Sequence, residues 1–156
     1  MQRHRRGYTL IELTLVVGII VIFGTVTFIS LSGRRATNEL QSTAQQMASL
    51  LREAQARAMN QASNTLWGVH FNNAASGPFY ALYYTTYQTS TRVSFHRLPL
   101  SVIYVTSSLA QGASSSIAFA TLSGQTLASR SIRIAAISNQ TASATISVAS
   151  SGAVSY

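Results

Sequence analysis

Residues 13–31 run for nineteen positions without a charge, Leu-Thr-Leu-Val-Val-Gly-Ile-Ile-Val-Ile-Phe-Gly-Thr-Val-Thr-Phe-Ile-Ser-Leu, and no other feature limits the fold as much. As a helix rising ~1.5 Å per residue the run is about 28 Å long, close to the thickness of a bilayer core. Arg3, Arg5 and Arg6 precede it and Arg34 and Arg35 follow it. Basic flanks tend to stay on the cytoplasmic side, so a spanning helix would hold residues 1–7 inside and put everything from Arg34 onward outside. A central buried helix is one rival. A secretory signal is the other, but the run is longer than the usual signal core, and the small residue, Gly7, precedes it instead of following it.

Beyond the run the pattern takes on helical spacing. Leu40, Ala44, Met47, Leu51, Ala54, Ala58 and Ala62 recur at steps of three and four, forming one stripe, with Gln, Ser, Arg and Glu between them. Arg35–Glu39 and Glu53–Arg57 are oppositely charged pairs at a spacing of four, each contributing about 0.2–0.5 kcal/mol. Neither Pro nor Gly interrupts residues 36–62, which predicts one helix from about Thr9 to Ala62. Its stripe is expected to pack on the chain's own sheet.

After Asn64 the chain turns to short β-branched and aromatic runs at 66–71, 79–87, 93–98, 102–106, 117–121, 131–137, 144–149 and 153–156, which read as strands. Asn72-Asn73, Gly77-Pro78, Ser123-Gly124 and Ser151-Gly152 punctuate them as turns. Ile132 and Ile134, and Ile146 and Val148, alternate with polar residues, as strands with one buried face do. The expected fold class is α+β: a long N-terminal helix, its first half transmembrane, packed by its second half on a small antiparallel β-sheet head.

The charge inventory limits the chemistry. All eleven basic residues are Arg, the acids are Glu12, Glu39 and Glu53, and the chain has no Asp, Lys or Cys. No carboxylate side chain follows Glu53. Paired carboxylates and thiol nucleophiles are therefore unavailable to the head, and no catalytic residue is expected. His70 and His96, the imidazoles of the head, make a poor zinc site without a carboxylate and cannot form an oriented triad. A hard cation such as calcium also lacks charged oxygen ligands. Neither a metal nor a cofactor is expected.

The stretch Arg5-Arg6-Gly7-Tyr8-Thr9-Leu10-Ile11-Glu12, leading directly into the apolar run, resembles the prepilin signature of type IV pilins and type II secretion pseudopilins. The resemblance implies a leader peptide over 1–7 and cleavage by a prepilin peptidase between Gly7 and Tyr8. It also implies N-methylation of Tyr8 and an assembly role for Glu12, five residues into the mature chain. An acid so placed needs a partner, and the amine freed before Tyr8 is the available cation. The implied layout is an assembly and transmembrane helix over 8–35, its amphipathic continuation over 36–63 and a β-rich head over 64–156. Tyr8 stands where the family usually has Phe, and no Pro occurs in the second half of the run, where many major pilins have one.

The stretch Leu50-Leu51-Arg52-Glu53-Ala54-Gln55-Ala56-Arg57-Ala58-Met59 followed by an all-β head is similar to the minor pseudopilins of the GspH and FimT group. The implied role is a structural, minor subunit of a type II secretion pseudopilus or type IV pilus. The implied location is the bacterial inner membrane, single-pass with the head in the periplasm or outside, before assembly. The implied partners are the peptidase and N-methyltransferase, other pilins or pseudopilins, an assembly platform and inner-membrane lipid. DNA enters as the alternative partner, because some members of that group act in DNA uptake through a basic patch near the C-terminus. Arg92, Arg97, Arg130 and Arg133 have no acid to oppose them, and arginines binding duplex phosphates should converge on one face. The terminal segment 150–156 carries no Arg, so that group's basic tail is missing.

Overall fold

A computed structural model describes residues 9–156, apart from the side chains of residues 25–34 and of Ser63. The chain divides into two compact units, Met1–Arg35 and Ala36–Tyr156. Helix α1 spans Leu10–Met59 and contributes to both.

Within the first unit, Leu10, Ile11, Leu13, Leu15 and Ile20 are each more than 60% exposed. Residues at these positions point to every side of a helix, so this stretch is apolar all round. In the second unit α1 is two-faced. Leu40, Ala44, Met47, Leu51, Ala54 and Ala58 are buried, while Glu39, Arg52 and Glu53 face outward. The predicted stripe is the face that enters the core. After Met59 the chain leaves the helix through Gln61, whose φ of 54° is left-handed, and makes a single 3₁₀ turn, Ala62–Asn64.

Eight strands follow: β1 Trp67–Asn72, β2 Phe79–Tyr84, β3 Arg92–Arg97, β4 Val102–Tyr104, β5 Ser114–Phe119, β6 Arg130–Ala136, β7 Ser143–Val148 and β8 Val154–Ser155. Each predicted run has a counterpart, with ends shifted by a few residues. They form two antiparallel sheets of four strands, ordered β3-β2-β1-β5 and β4-β6-β7-β8. The chain changes sheet at β3–β4, β4–β5 and β5–β6, so pairings such as β1 with β5 and β4 with β6 join strands far apart in sequence.

Both sheets turn apolar side chains into one core with the helix stripe. Trp67, Val69, Phe71, Tyr80, Leu82, Ile117 and Phe119 come from the first sheet, and Val102, Tyr104, Ile132, Ile134, Ile146 and Val148 from the second. Polar ties fix the helix across this core. Tyr80 donates to Gln46 at 3.1 Å, Arg52 to the carbonyl of Val154 at 3.2 Å and Gln55 to that of Gly124 at 3.2 Å. Glu39 accepts from the Ser101 hydroxyl, and Arg57 pairs with Glu53 at 2.7 Å while lying over the Trp67 ring.

The expected fold is corrected on two counts. One small sheet was expected and two four-stranded sheets are present, because the long-range pairings that divide the strands leave no mark in local sequence patterns. Among the described residues, no helix is long and apolar enough to cross a membrane. The transmembrane half of the helix and the inner-membrane location are corrected accordingly.

Candidate functional site

The first region to consider is the start of α1. Helix starts leave backbone N–H groups without partners, and a hydroxyl just before the first turn can accept from one of them. Thr9 does this: its Oγ1 accepts from the backbone N–H of Glu12 at 3.4 Å, and its carbonyl accepts from that of Leu13 at 3.2 Å. Thr14 donates to the carbonyl of Ile11 at 2.9 Å within the same turn. Thr9-Leu10-Ile11-Glu12 has the Thr-x-x-Glu spacing of a capping box, a signal present in the sequence but absorbed there into the processing motif. An acid in the first turn also meets the positive end of the helix dipole, which favours it by roughly 0.3–1 kcal/mol at exposed sites. Local electrostatics thus accounts for Glu12 before any partner is invoked.

Glu12 is exposed and sits among the exposed Leu10, Ile11 and Leu13. The Gly7–Tyr8 cleavage site, the Tyr8 methylation site and the leader arginines lie outside the described residues.

The second region is the set of four arginines. Arg92 and Arg97 are the two ends of β3, at the edge of the first sheet, whereas Arg130 and Arg133 lie on β6 of the second. Alternation along β6 turns Arg133 away from the buried Ile132 and Ile134, and its guanidinium donates to Ser143 Oγ at 2.8 and 3.1 Å. Arg130, an even step from those isoleucines, belongs to the opposite face. The four therefore fall into two pairs on two sheets, and the β6 pair does not share a face.

The histidines are packed differently from each other. His96 is exposed and stacks on Tyr80, with ring centroids 5.2 Å apart. His70 is buried, with Nδ1 2.7 Å from Ser116 Oγ and its ring 3.6 Å from that of Tyr87. Burial pushes the His70 pKa down. The neighbouring Tyr83 is pushed up by burial, opposed by its hydrogen bond to Ser116. Among the described residues no three His, Cys, Asp or Glu side chains cluster as metal ligands would. Comparison of the chain with protein-family models, curated proteins and solved structures gives no match.

Proposed function

We propose that this chain is a structural subunit, of the minor kind, in a type II secretion pseudopilus or type IV pilus. It is cut after Gly7 and assembled through its N-terminal helix, with no reaction of its own to catalyse. The observation that carries this reading is the exposure of a helix that is apolar on all sides, from Leu10 through Ile20. Water does not tolerate such a surface, and each large side chain covered contributes about 1.5–3 kcal/mol. The occupant proposed is the same stretch of neighbouring subunits, which offers equivalent apolar surface. Glu12 then stands in that contact, facing the amine that cleavage before Tyr8 creates on its own or a neighbouring chain. A peptidase, an N-methyltransferase, an assembly platform and other pilins are the partners this reading requires.

The chain has no cysteine, which makes the test direct. Ile20→Cys subunits, oxidised within isolated filaments, should form disulfide-linked species containing the chain, and mass spectrometry of those species should find methylated Tyr8 as the first residue. Gly7→Val should leave the precursor uncut and out of filaments. Filaments that retain Met1, or that incorporate the Gly7→Val chain normally, would overturn the proposal.

A further inference from the structure

Four strands form the edges of the two sheets, β3 and β5 of the first and β4 and β8 of the second. Strand β3 is broken by a bulge at Val93, because Ser94 pairs with Leu82 but Arg92 pairs with Tyr83. Strands β4 and β8 are only three and two residues long. Bulged or very short edges are poor templates for another strand. β5 differs: it pairs with β1 in unbroken register from Ser114 to Phe119, and its sequence Ser-Ser-Ser-Ile-Ala-Phe has neither charge nor Pro.

The direction of hydrogen bonding along β5 follows from β1. The backbone N–H of Thr85 donates to the carbonyl of Leu66 at 2.9 Å, and that of Asn73 donates to the carbonyl of Ala113 at 3.0 Å. Even-numbered residues of β1 therefore bond toward β2, and odd-numbered ones toward β5. With Val69 opposite Ile117, the N–H and C=O groups of Ser115, Ile117 and Phe119 are taken by β1. Those of Ser114, Ser116 and Ala118 point to the open side, and nothing among the described residues pairs with them. The next outward residue, Ala120, is covered: its N–H donates to Gln125 at 2.8 Å and its carbonyl accepts from Gly124 at 2.9 Å.

Beyond that turn the chain folds back past β5 and leaves a groove. A cavity of about 320 Å³ lies among Leu66, Phe119 and Leu127, and one of about 120 Å³ lies between Ser116 and Arg130. Ala118, Thr126 and Leu127 border both, so the two are continuous along the open edge. Thr126 fixes the far wall by donating to the carbonyls of Ala128 and Ala149, at 3.1 and 3.0 Å. Leu127 is completely exposed. Arg130 shares the face of Ile132 and Ile134, which is the side between the sheets, and no acid among the described residues pairs with it.

We propose that the open edge of β5 takes up an extended segment of a partner protein as a fifth strand, apolar at alternate positions and carrying a carboxylate that meets Arg130. Free donors and acceptors in alternation along an edge match another strand. The main-chain bonds then supply affinity, and the alternate side chains supply selectivity. Apolar side chains of the added strand fill the cavity beside Leu66 and Leu127. Charge selects the occupant, because no carboxylate side chain follows Glu53 and the head of a second copy offers Arg130 nothing. The β5 of a second copy is also a poor filler. Its Ile117 and Phe119 are held in the core, which leaves Ser114, Ser116 and Ala118 to face the cavity. The site is independent of the filament reading.

Amide hydrogen exchange of the full chain in detergent micelles, read by NMR with and without synthetic hexapeptides, tests the proposal. The peptides alternate Val with Thr and carry Glu at each position in turn. The amides of Ser114, Ser116 and Ala118 should slow about tenfold with the best peptide, whereas those of Ser115 and Ile117, already bonded to β1, should change little. N-methylating the peptide amides that face β5 should abolish the protection, and N-methylating the alternate set should not. Arg130→Glu should weaken binding about tenfold, and exchanging the peptide Glu for Arg should restore it. Ala118→Pro removes an outward donor without touching the β1 ladder and should also weaken binding. The proposal is overturned if no peptide protects these amides, or if both N-methylated forms bind equally. Protection that rises with protein concentration without peptide would give the edge to a second copy and overturn it too.

Discussion

Gln55 on α1 donates from Nε2 to the carbonyl oxygen of Gly124, 3.2 Å away, and the backbone of Gly152 lies against both groups. Gly152 has φ +88°, and a Cβ there would collide with the Gly124 carbonyl oxygen and the Gln55 amide. Gly152→Ala should therefore destabilise the protein by about 2–4 kcal/mol. Gly112→Ala is the control, with φ +79° but nothing nearby, and should cost only about 1 kcal/mol. Urea midpoints of the two variants check this; equal losses would show that the close approach at Gly152 is unimportant.

Met47 and Leu51 are fully buried in the helix stripe. Met47→Asp or Leu51→Asp places an unpaired carboxylate in an apolar core and should destabilise by about 3 kcal/mol or more. The thermal transition followed by far-ultraviolet circular dichroism should fall steeply. An unchanged transition in either variant would mean the stripe is not the packed face.

In the proposed filament, Glu12 bears on assembly more than on folding. In the filament reading Glu12→Gln removes the counter-charge of a covered amine, so cleavage should proceed while incorporation falls severalfold. Loss of a first-turn acid should cost the helix itself less than about 1 kcal/mol. Quantitative blotting of filament and precursor fractions separates the two effects. Wild-type incorporation of Glu12→Gln chains would remove Glu12 from the interface.

His70 gives the fold a pH dependence of definite sign. Its folded pKa lies below the ordinary 6.5 because burial disfavours the charged ring. The unfolded chain therefore binds more protons just below that pH. The stability contribution is complete above about pH 6.5 and is lost as pH falls toward and through the folded value. The melting temperature should decline as pH falls below about 6.5, and His70→Gln should flatten that decline. An equally steep decline in His70→Gln would assign the effect elsewhere.

Local periodicity made the strands and the stripe legible. Ile132 and Ile134 alternate visibly, and Leu40 through Ala58 repeat at helical steps. What stayed hidden depends on partners distant in the chain. Nothing near Trp67 announces that Phe119 is its partner across the sheet, so the number of sheets was not readable. The bulge at Val93 was equally invisible, and so was the open edge of β5. The uncharged run from Ser114 to Phe119 was the available hint that this edge is undefended. The apolar run was read from its length and lack of charge, which do not distinguish a surface for lipid from one for other helices.

The edges of the two sheets carry a consequence for crowding. The second sheet ends in β4, of three residues, and β8, of two, while the bulged β3 borders the first. Short or irregular edges are poor templates for backbone pairing with another chain. In the filament proposed above, neighbouring heads are thereby discouraged from fusing into one continuous sheet through β3, β4 or β8, which leaves β5, a regular six-residue strand, as the one edge able to pair. A filament of the proposed kind, joined through its helices, comes apart without any head having to unfold.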